Sequence, residues 1–137
     1  MIRVVSGIII DDSRLLVVRK EVGGLSKWIF PGGKPEEQEE DLVALVREIG
    51  EELPNLKLVG NFWQYTDFND ISPIRKKEIH LVSYMFQGRN NRDIMVSTQA
   101  NETIKESRFC DYQQLTQLDC SDPTKTLINL LKLDSYL

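Results

Sequence analysis

Apolar residues dominate the start of the chain. Ile2 to Ile10 and Arg14 to Arg19 are β-branched or leucine-rich stretches separated by Asp11, Asp12 and Ser13, which predicts two strands joined by a tight turn. KEVGGLSK then reads as a loop and WIF as a short strand. PGGKPEEQ forms a second loop, whose two glycines allow backbone shapes closed to other residues. Over residues 39 to 53 the period changes: Leu42, Leu45, Val46, Ile49 and Leu53 recur as one stripe of a 3.6-residue helix, which Pro54 stops. Leu56 to Phe68 and Glu78 to Gln87 return to strand character. VSYMF is apolar at almost every position, as in a strand covered on both faces. Arg89 to Lys105 is polar and reads as a long loop, and RFCDY as a last short strand. A closing helix runs from Pro123 to about Leu133, capped by Ser121 or Asp122. Strands interleaved with helices predict an α/β (α+β) fold with a mixed β-sheet and helices on its faces.

Composition narrows the class. A chain of 137 residues, 41% hydrophobic and 28% charged, suits a single domain spanning 1–137. No apolar run approaches the roughly 20 residues needed to span a bilayer, and the N-terminus lacks a small-residue cleavage site, so a cytoplasmic protein without membrane attachment is expected. Cys110 and Cys120 show no metal-ligand spacing and read as reduced, structural thiols.

The net charge of −4 is unevenly spread. Residues 36 to 52 hold eight acids against one base, Arg47, whereas the rest of the chain carries 13 acids and 16 bases. An acidic pocket in a slightly basic body suits a cation bridging to a phosphorylated small molecule. With no long basic stripe interleaved with aromatics, duplex nucleic acid is not an expected partner.

Within that acidic segment, REIGEEL places Glu48, Glu51 and Glu52 on a roughly 100° arc of the helix, beside the apolar stripe. Like charges at i,i+3 and i,i+4 each cost a few tenths of a kcal/mol, and the final turn is where the helix dipole disfavours anions. A solvated acidic face is the bland reading of such a run. Against it stand the Gly-Gly turn just upstream, with backbone carbonyls, and a further carboxylate at Glu39. Oxygen-only ligands of this kind favour hard cations, Mg2+ first and then Mn2+.

Residues 33 to 55, GKPEEQEEDLVALVREIGEELPN, resemble the Nudix box, G-x5-E-x7-R-E-U-x-E-E-x-G-U, with U a bulky aliphatic. Gly33, Glu39, Arg47, Glu48, Ile49, Glu51 and Glu52 match at the required spacing, and the preceding SKWIFPGGK resembles the MutT-like branch. Two positions depart: Pro54 replaces the last glycine and Asn55 the last aliphatic, which implies a changed helix exit and leaves every ligand position intact.

The resemblance implies a Nudix-type α/β/α sandwich that hydrolyses a nucleoside diphosphate linked to another moiety. The expected activity is that of a nucleoside triphosphate pyrophosphohydrolase releasing nucleoside monophosphate and pyrophosphate, with oxidised purine nucleotides among the candidates. The alternatives are a nucleotide-sugar or ADP-ribose pyrophosphatase and a non-catalytic nucleotide-binding module. Carried over residue by residue, Glu48, Glu51 and Glu52 hold the metal with the carbonyl of Gly32 or Gly33, and Glu52 is the first choice for general base. Arg47 orients the cluster and Glu39 braces the loop. Glu102, with Glu106 as competitor, is a candidate further carboxylate. Lys34 and Lys20 fall where relatives contact phosphate, and Asp122 or Ser121 where they read the base edge. Trp28 and His80 read as packing residues.

Overall fold

The computed structural model describes residues 1–90 and 103–137. In chain order the elements are β1 (Ile2–Ile8), β2 (Ile10–Asp11), β3 (Arg14–Val22), β4 (Leu25–Ile29), β5 (Gly32–Gly33), α1 (Asp41–Glu52), β6 (Leu58–Ser72), β7 (Lys77–Asn90), β8 (Ile104–Cys110), α2 (Tyr112–Thr116) and α3 (Asp122–Leu133). One sheet has the order β5-β1-β7-β6. Its β1–β7 pair is parallel and its other pairs are antiparallel, which makes it mixed. In the second sheet β3 pairs with β2, β4 and β8, all antiparallel.

The apolar runs are unbroken because these strands bury both faces. Leu15 and Val17 of β3, with Ile79, Leu81 and Met85 of β7, enter the core that holds Leu127 and Leu131 of α3. The alternate residues Leu16 and Val18, with Val82, Tyr84 and Phe86, enter a second core beneath Leu45 and Ile49 of α1. Layers of helix, sheet and helix result, as expected. Cys110 and Cys120 are free and buried in the first core, where burial raises both thiols above their ordinary pKa.

Several boundaries differ from expectation for identifiable reasons. KEVGGLSK is a hairpin and not a loop: β3 runs to Val22, β4 starts at Leu25, and Gly23 and Gly24 take φ of +56° and +81°, the left-handed pair a two-residue hairpin turn needs. β7 reaches Asn90 and β8 starts at Ile104, both inside the stretch 89–105 expected as a loop, of which residues 91–102 lie outside the described residues. RFCDY ends as a strand at Cys110. Asp111 then caps α2, its carboxylate accepting from the Gln114 amide while the Gln114 side chain accepts from the Asp111 amide.

At its start, α1 is tied to the mixed sheet. Arg3 of β1 donates two hydrogen bonds to Asp41, and the Tyr84 hydroxyl donates a third at 2.7 Å. Arg3, followed by Tyr84, holds the Asp41 carboxyl below its ordinary pKa against the opposing effect of burial. A depressed carboxylate pKa adds stability above the unfolded-state value, and that stability is lost as pH falls through the folded-state value. Asp41→Asn is therefore expected to lower unfolding free energy by about 1 kcal/mol at pH 7, a modest figure because Arg3 is half exposed. Urea titrations should show the difference shrinking below pH 4, and a constant difference down to pH 2 would refute it.

Candidate functional site

The site begins at the PGG turn. The Pro31 carbonyl accepts from the Gly7 amide at 2.8 Å, and Gly32 and Gly33 pair as β5 with Ser6 and Val5 of β1. Gly32 sits at φ +147°, and a Cβ there would lie 2.0 Å from the Val5 carbonyl oxygen. Only glycine fits so close to the neighbouring backbone. Gly33 is packed against α1, where a Cβ would lie 2.4 Å from the carboxyl carbon of Glu48.

α1 lies differently from the apolar stripe read in the sequence. Its buried residues are Ala44, Leu45, Ile49 and Glu52, with Leu53 following, whereas Leu42 and Val46 are exposed. The buried face is thus rotated toward the glutamates. Gly7 of β1 makes room for it, since a Cβ at that position would meet Ile49 Cδ1 at 3.1 Å. Glu52 falls near the middle of that face and is 1% exposed, so its carboxylate belongs to the interior and not to a solvated surface.

Glu52 Oε1 accepts from the Gly32 amide at 2.8 Å. Burial pushes its pKa up to about 8, the amide and the positive charge of Lys20 opposing the shift and the charges of Glu48 and Glu51 adding to it. Arg47 gathers the other acids. It donates from Nε and Nη2 to Glu39 at 2.9 and 2.8 Å, and from Nη1 to Glu48 at 3.0 Å and Glu51 at 3.3 Å. Glu39 also accepts from the Glu36 amide at 2.9 Å, and these partners, Arg47 foremost, hold it down at about pKa 2. The bidentate Arg47–Glu39 pair therefore ties the loop before α1 to the helix's last turns.

A largely apolar cavity opens beside the turn, bordered by Gly32, Gly33, Phe30 and Leu81. Lys20 lines it and Lys34, which is exposed, does not. At its α3 edge stand Ser121, Pro123 and Thr124. Asp122 is exposed and away from the wall, and Ser121 is the helix cap. The β6–β7 turn also reaches this wall through Ser72, Ile74 and Arg75, residues that no motif marks. Glu102 lies outside the described residues. Glu106 is engaged on the second sheet by Arg108 and then Arg19, which lower its pKa against the opposing effect of burial. Trp28 is buried under Arg108, 5.1 Å from its ring centroid, and His80 is bonded to Asn69 and Asp67.

Comparison with known proteins decides the family. A family model described as NUDIX domain matches residues 1–129. The chain belongs to the NUDIX domain family. It is a Nudix hydrolase, an enzyme of a family that acts on nucleoside diphosphate derivatives and generally uses divalent metals. Among solved structures, the MutT protein from Methanosarcina mazei Go1 is 16% identical with a TM-score of 0.77, the match covering 97% of this chain and 94% of that one. A MutT NUDIX hydrolase from Burkholderia pseudomallei is 19% identical with a TM-score of 0.76, covering 93% and 95%. The NUDIX domain of Shewanella oneidensis NrtR, complexed with ADP ribose, is 15% identical with a TM-score of 0.75, covering 98% and 88%. At these identities the likeness is one of fold. No curated protein sequence matches significantly.

As they stand, no three acidic, thiol or imidazole groups among the described residues converge closely enough to hold an ion. Arg47 draws Glu48 and Glu51 outward while Glu52 points to Gly32. The donor set nevertheless fits a hard cation: it is all oxygen, sits at one helix end, and includes the almost fully buried carboxylate of Glu52.

Proposed function

We propose that the protein is a Mg2+-dependent nucleoside triphosphate pyrophosphohydrolase of MutT type, one domain spanning residues 1–137, active on a small nucleotide in the cytoplasm. The observation that carries this reading is the meeting of Glu48 and Glu52 with the Gly32–Gly33 turn at the edge of a largely apolar cavity. A base bound in the cavity would bring its phosphates to the carboxylates. Glu48, Glu51 and Glu52 would hold Mg2+, or Mn2+, with the Gly32 carbonyl. A cation held there supplies charge neutralisation at phosphate and a more acidic water.

The chain's own residues divide the remaining work. Glu52 takes the proton of the attacking water, Lys20 offers positive charge to the phosphates at the turn, and Arg47 and Glu39 position the helix end. Water oxygen bonds to phosphorus, the bridging P–O bond breaks, and nucleoside monophosphate and pyrophosphate leave. None of the helices among the described residues is long and apolar enough to cross a membrane.

ADP-ribose hydrolysis is the second reading, favoured by the fold shared with the NrtR domain that binds ADP ribose. A non-catalytic sensor is disfavoured because every carboxylate of the box is present. A panel of nucleoside triphosphates, nucleotide sugars and ADP-ribose with Mg2+, followed by release of phosphate and pyrophosphate, separates the three. Pyrophosphate from at least one triphosphate is the expected result. Tight nucleotide binding with no hydrolysis across the panel would establish the sensor.

A further inference from the structure

The cavity has a near end and a far end. Ser6 pairs with Gly32 at the near end, where Lys20 acts on Glu52. At the far end Ile79 pairs with Ile2, and the turn carrying Ile74 and Arg75 closes the wall. Ser6 lies four residues along β1 from Ile2, roughly 13 Å at strand rise.

The chemistry of the wall is one-sided. Among the described residues that line it, the side chains with polar atoms are Ser6, Lys20, Ser72, Arg75, Ser121 and Thr124, and none is a carboxylate or carboxamide. The hydroxyls are largely engaged. Ser6 is bonded to the buried Ser83 at 2.9 Å, and Ser72 accepts from the Arg75 amide at 3.1 Å. Ser121 donates to Thr124 Oγ1 at 2.8 Å and accepts from the Thr124 amide. Arg75 is held at the backbone by its bond to Ser72, and its guanidinium has no ion-pair partner among the described residues. A guanidinium carries five N–H donors in a fixed fork and no acceptor.

A ligand edge at the far end therefore meets in Arg75 a cation that only donates, while the hydroxyls, which can also accept, are already bonded within the protein. A base that turns its acceptor edge toward Arg75, O6 with N7 in hypoxanthine and guanine or O4 in uracil, is matched, its ring N–H lying on the other side of the keto group. Adenine or cytosine would press an amino group against a cation and leave it unpaired in a largely apolar cavity, a mismatch that commonly costs tenfold or more. We propose that Arg75, on the β6–β7 turn, is a specificity-determining residue that selects nucleotides with keto-edged bases over amino-edged ones. This rests on the nucleotide reading of the cavity given above.

Binding of IMP, AMP, UMP and CMP to the full chain by calorimetry with Mg2+ tests it, alongside kcat and KM for the four triphosphates. Wild type is expected to prefer IMP over AMP and UMP over CMP by about 10-fold or more. Arg75→Ala, on a half-buried turn and melting as wild type, should lose that factor on the keto ligands alone, through KM with kcat unchanged. Equal affinities in wild type would overturn the proposal. So would an equal loss on all four ligands, which would assign Arg75 to phosphate. Selective binding that collapses in Arg75→Ala, without hydrolysis, would sink the hydrolase reading and leave this one standing. Hydrolysis without preference would do the reverse.

Discussion

Glu52→Gln is expected to lower turnover by three or more orders of magnitude while leaving the protein folded and, without metal, more stable than wild type. The loss follows from removing the carboxylate proposed both to hold the cation and to take the proton of water, and such groups typically contribute factors of 100 to 10,000 each. The gain follows from burial. Glu52 is 1% exposed with one amide donor to Oε1, and its pKa is raised to about 8, so ionising it in the folded chain is costly. A folded-state carboxyl pKa above the unfolded value means that stability is lost as pH rises from the ordinary glutamate range toward 8. Glutamine keeps an oxygen for the Gly32 amide and carries no charge, so its advantage in EDTA should grow across that window, up to a few kcal/mol. Saturating Mg2+ should raise the melting temperature of wild type much more than that of the variant. A variant that melts well below wild type in EDTA at pH 8 would show that Glu52 is not the buried, uncompensated acid described here.

That expectation could not have been reached from the helix pattern. The residues of the box were legible because they fall within 20 contiguous positions and because Arg47 reaches Glu39, Glu48 and Glu51 within one helix and the loop before it. The two glycines were legible too, since a turn and a close approach are what glycine permits. The helical wheel, drawn through Leu42, Leu45, Val46 and Ile49, set Glu52 beside the apolar stripe, whereas packing on Gly7 rotates the helix until Glu52 is buried and Leu42 and Val46 are exposed. Periodicity counts apolar residues and is blind to a carboxylate placed among them.

Other differences have local causes that are written in residue spacing. Gly23-Gly24 between two strands is a hairpin signal, and the Asp111-x-x-Gln114 spacing is a capping signal, yet each was absorbed into a neighbouring loop or strand. The far wall of the cavity is another matter. Arg75 reaches it because β1 pairs in parallel with β7 and the β6–β7 hairpin extends past that pairing, a register between residues more than 70 apart. Nothing in a single sequence encodes such a pairing visibly. Ser121 and Thr124 border the cavity in place of Asp122 because the Ser121 amide is bonded to the Trp28 carbonyl of β4 at 3.1 Å, while residue 122 projects to solvent.

The two glycines of the turn should fail in opposite ways when each is replaced by alanine. At Gly32 the new Cβ would lie 2.0 Å from the Val5 carbonyl oxygen and 2.9 Å from Ser6 Cα, with φ at +147°. Both obstacles are backbone, so relief requires parting β5 from β1. Strain and lost pairing together are expected to cost on the order of 3–4 kcal/mol, a large part of a typical domain's stability, with melting lower by on the order of 10 °C. At Gly33 the obstacle is the Glu48 carboxylate, 2.4 Å away at the end of a flexible side chain that can swing aside. Gly33→Ala should therefore melt within a few degrees of wild type. Its turnover should nonetheless fall by about 100-fold, because a ligand moved by an ångström no longer meets the geometry its chemistry needs. Raising the Mg2+ concentration should recover part of the activity of Gly33→Ala and none of the stability of Gly32→Ala. Should Gly33→Ala keep wild-type turnover at limiting Mg2+, the approach of Glu48 to the turn would be irrelevant to the chemistry, and the metal-holding role proposed for it would fall with that result.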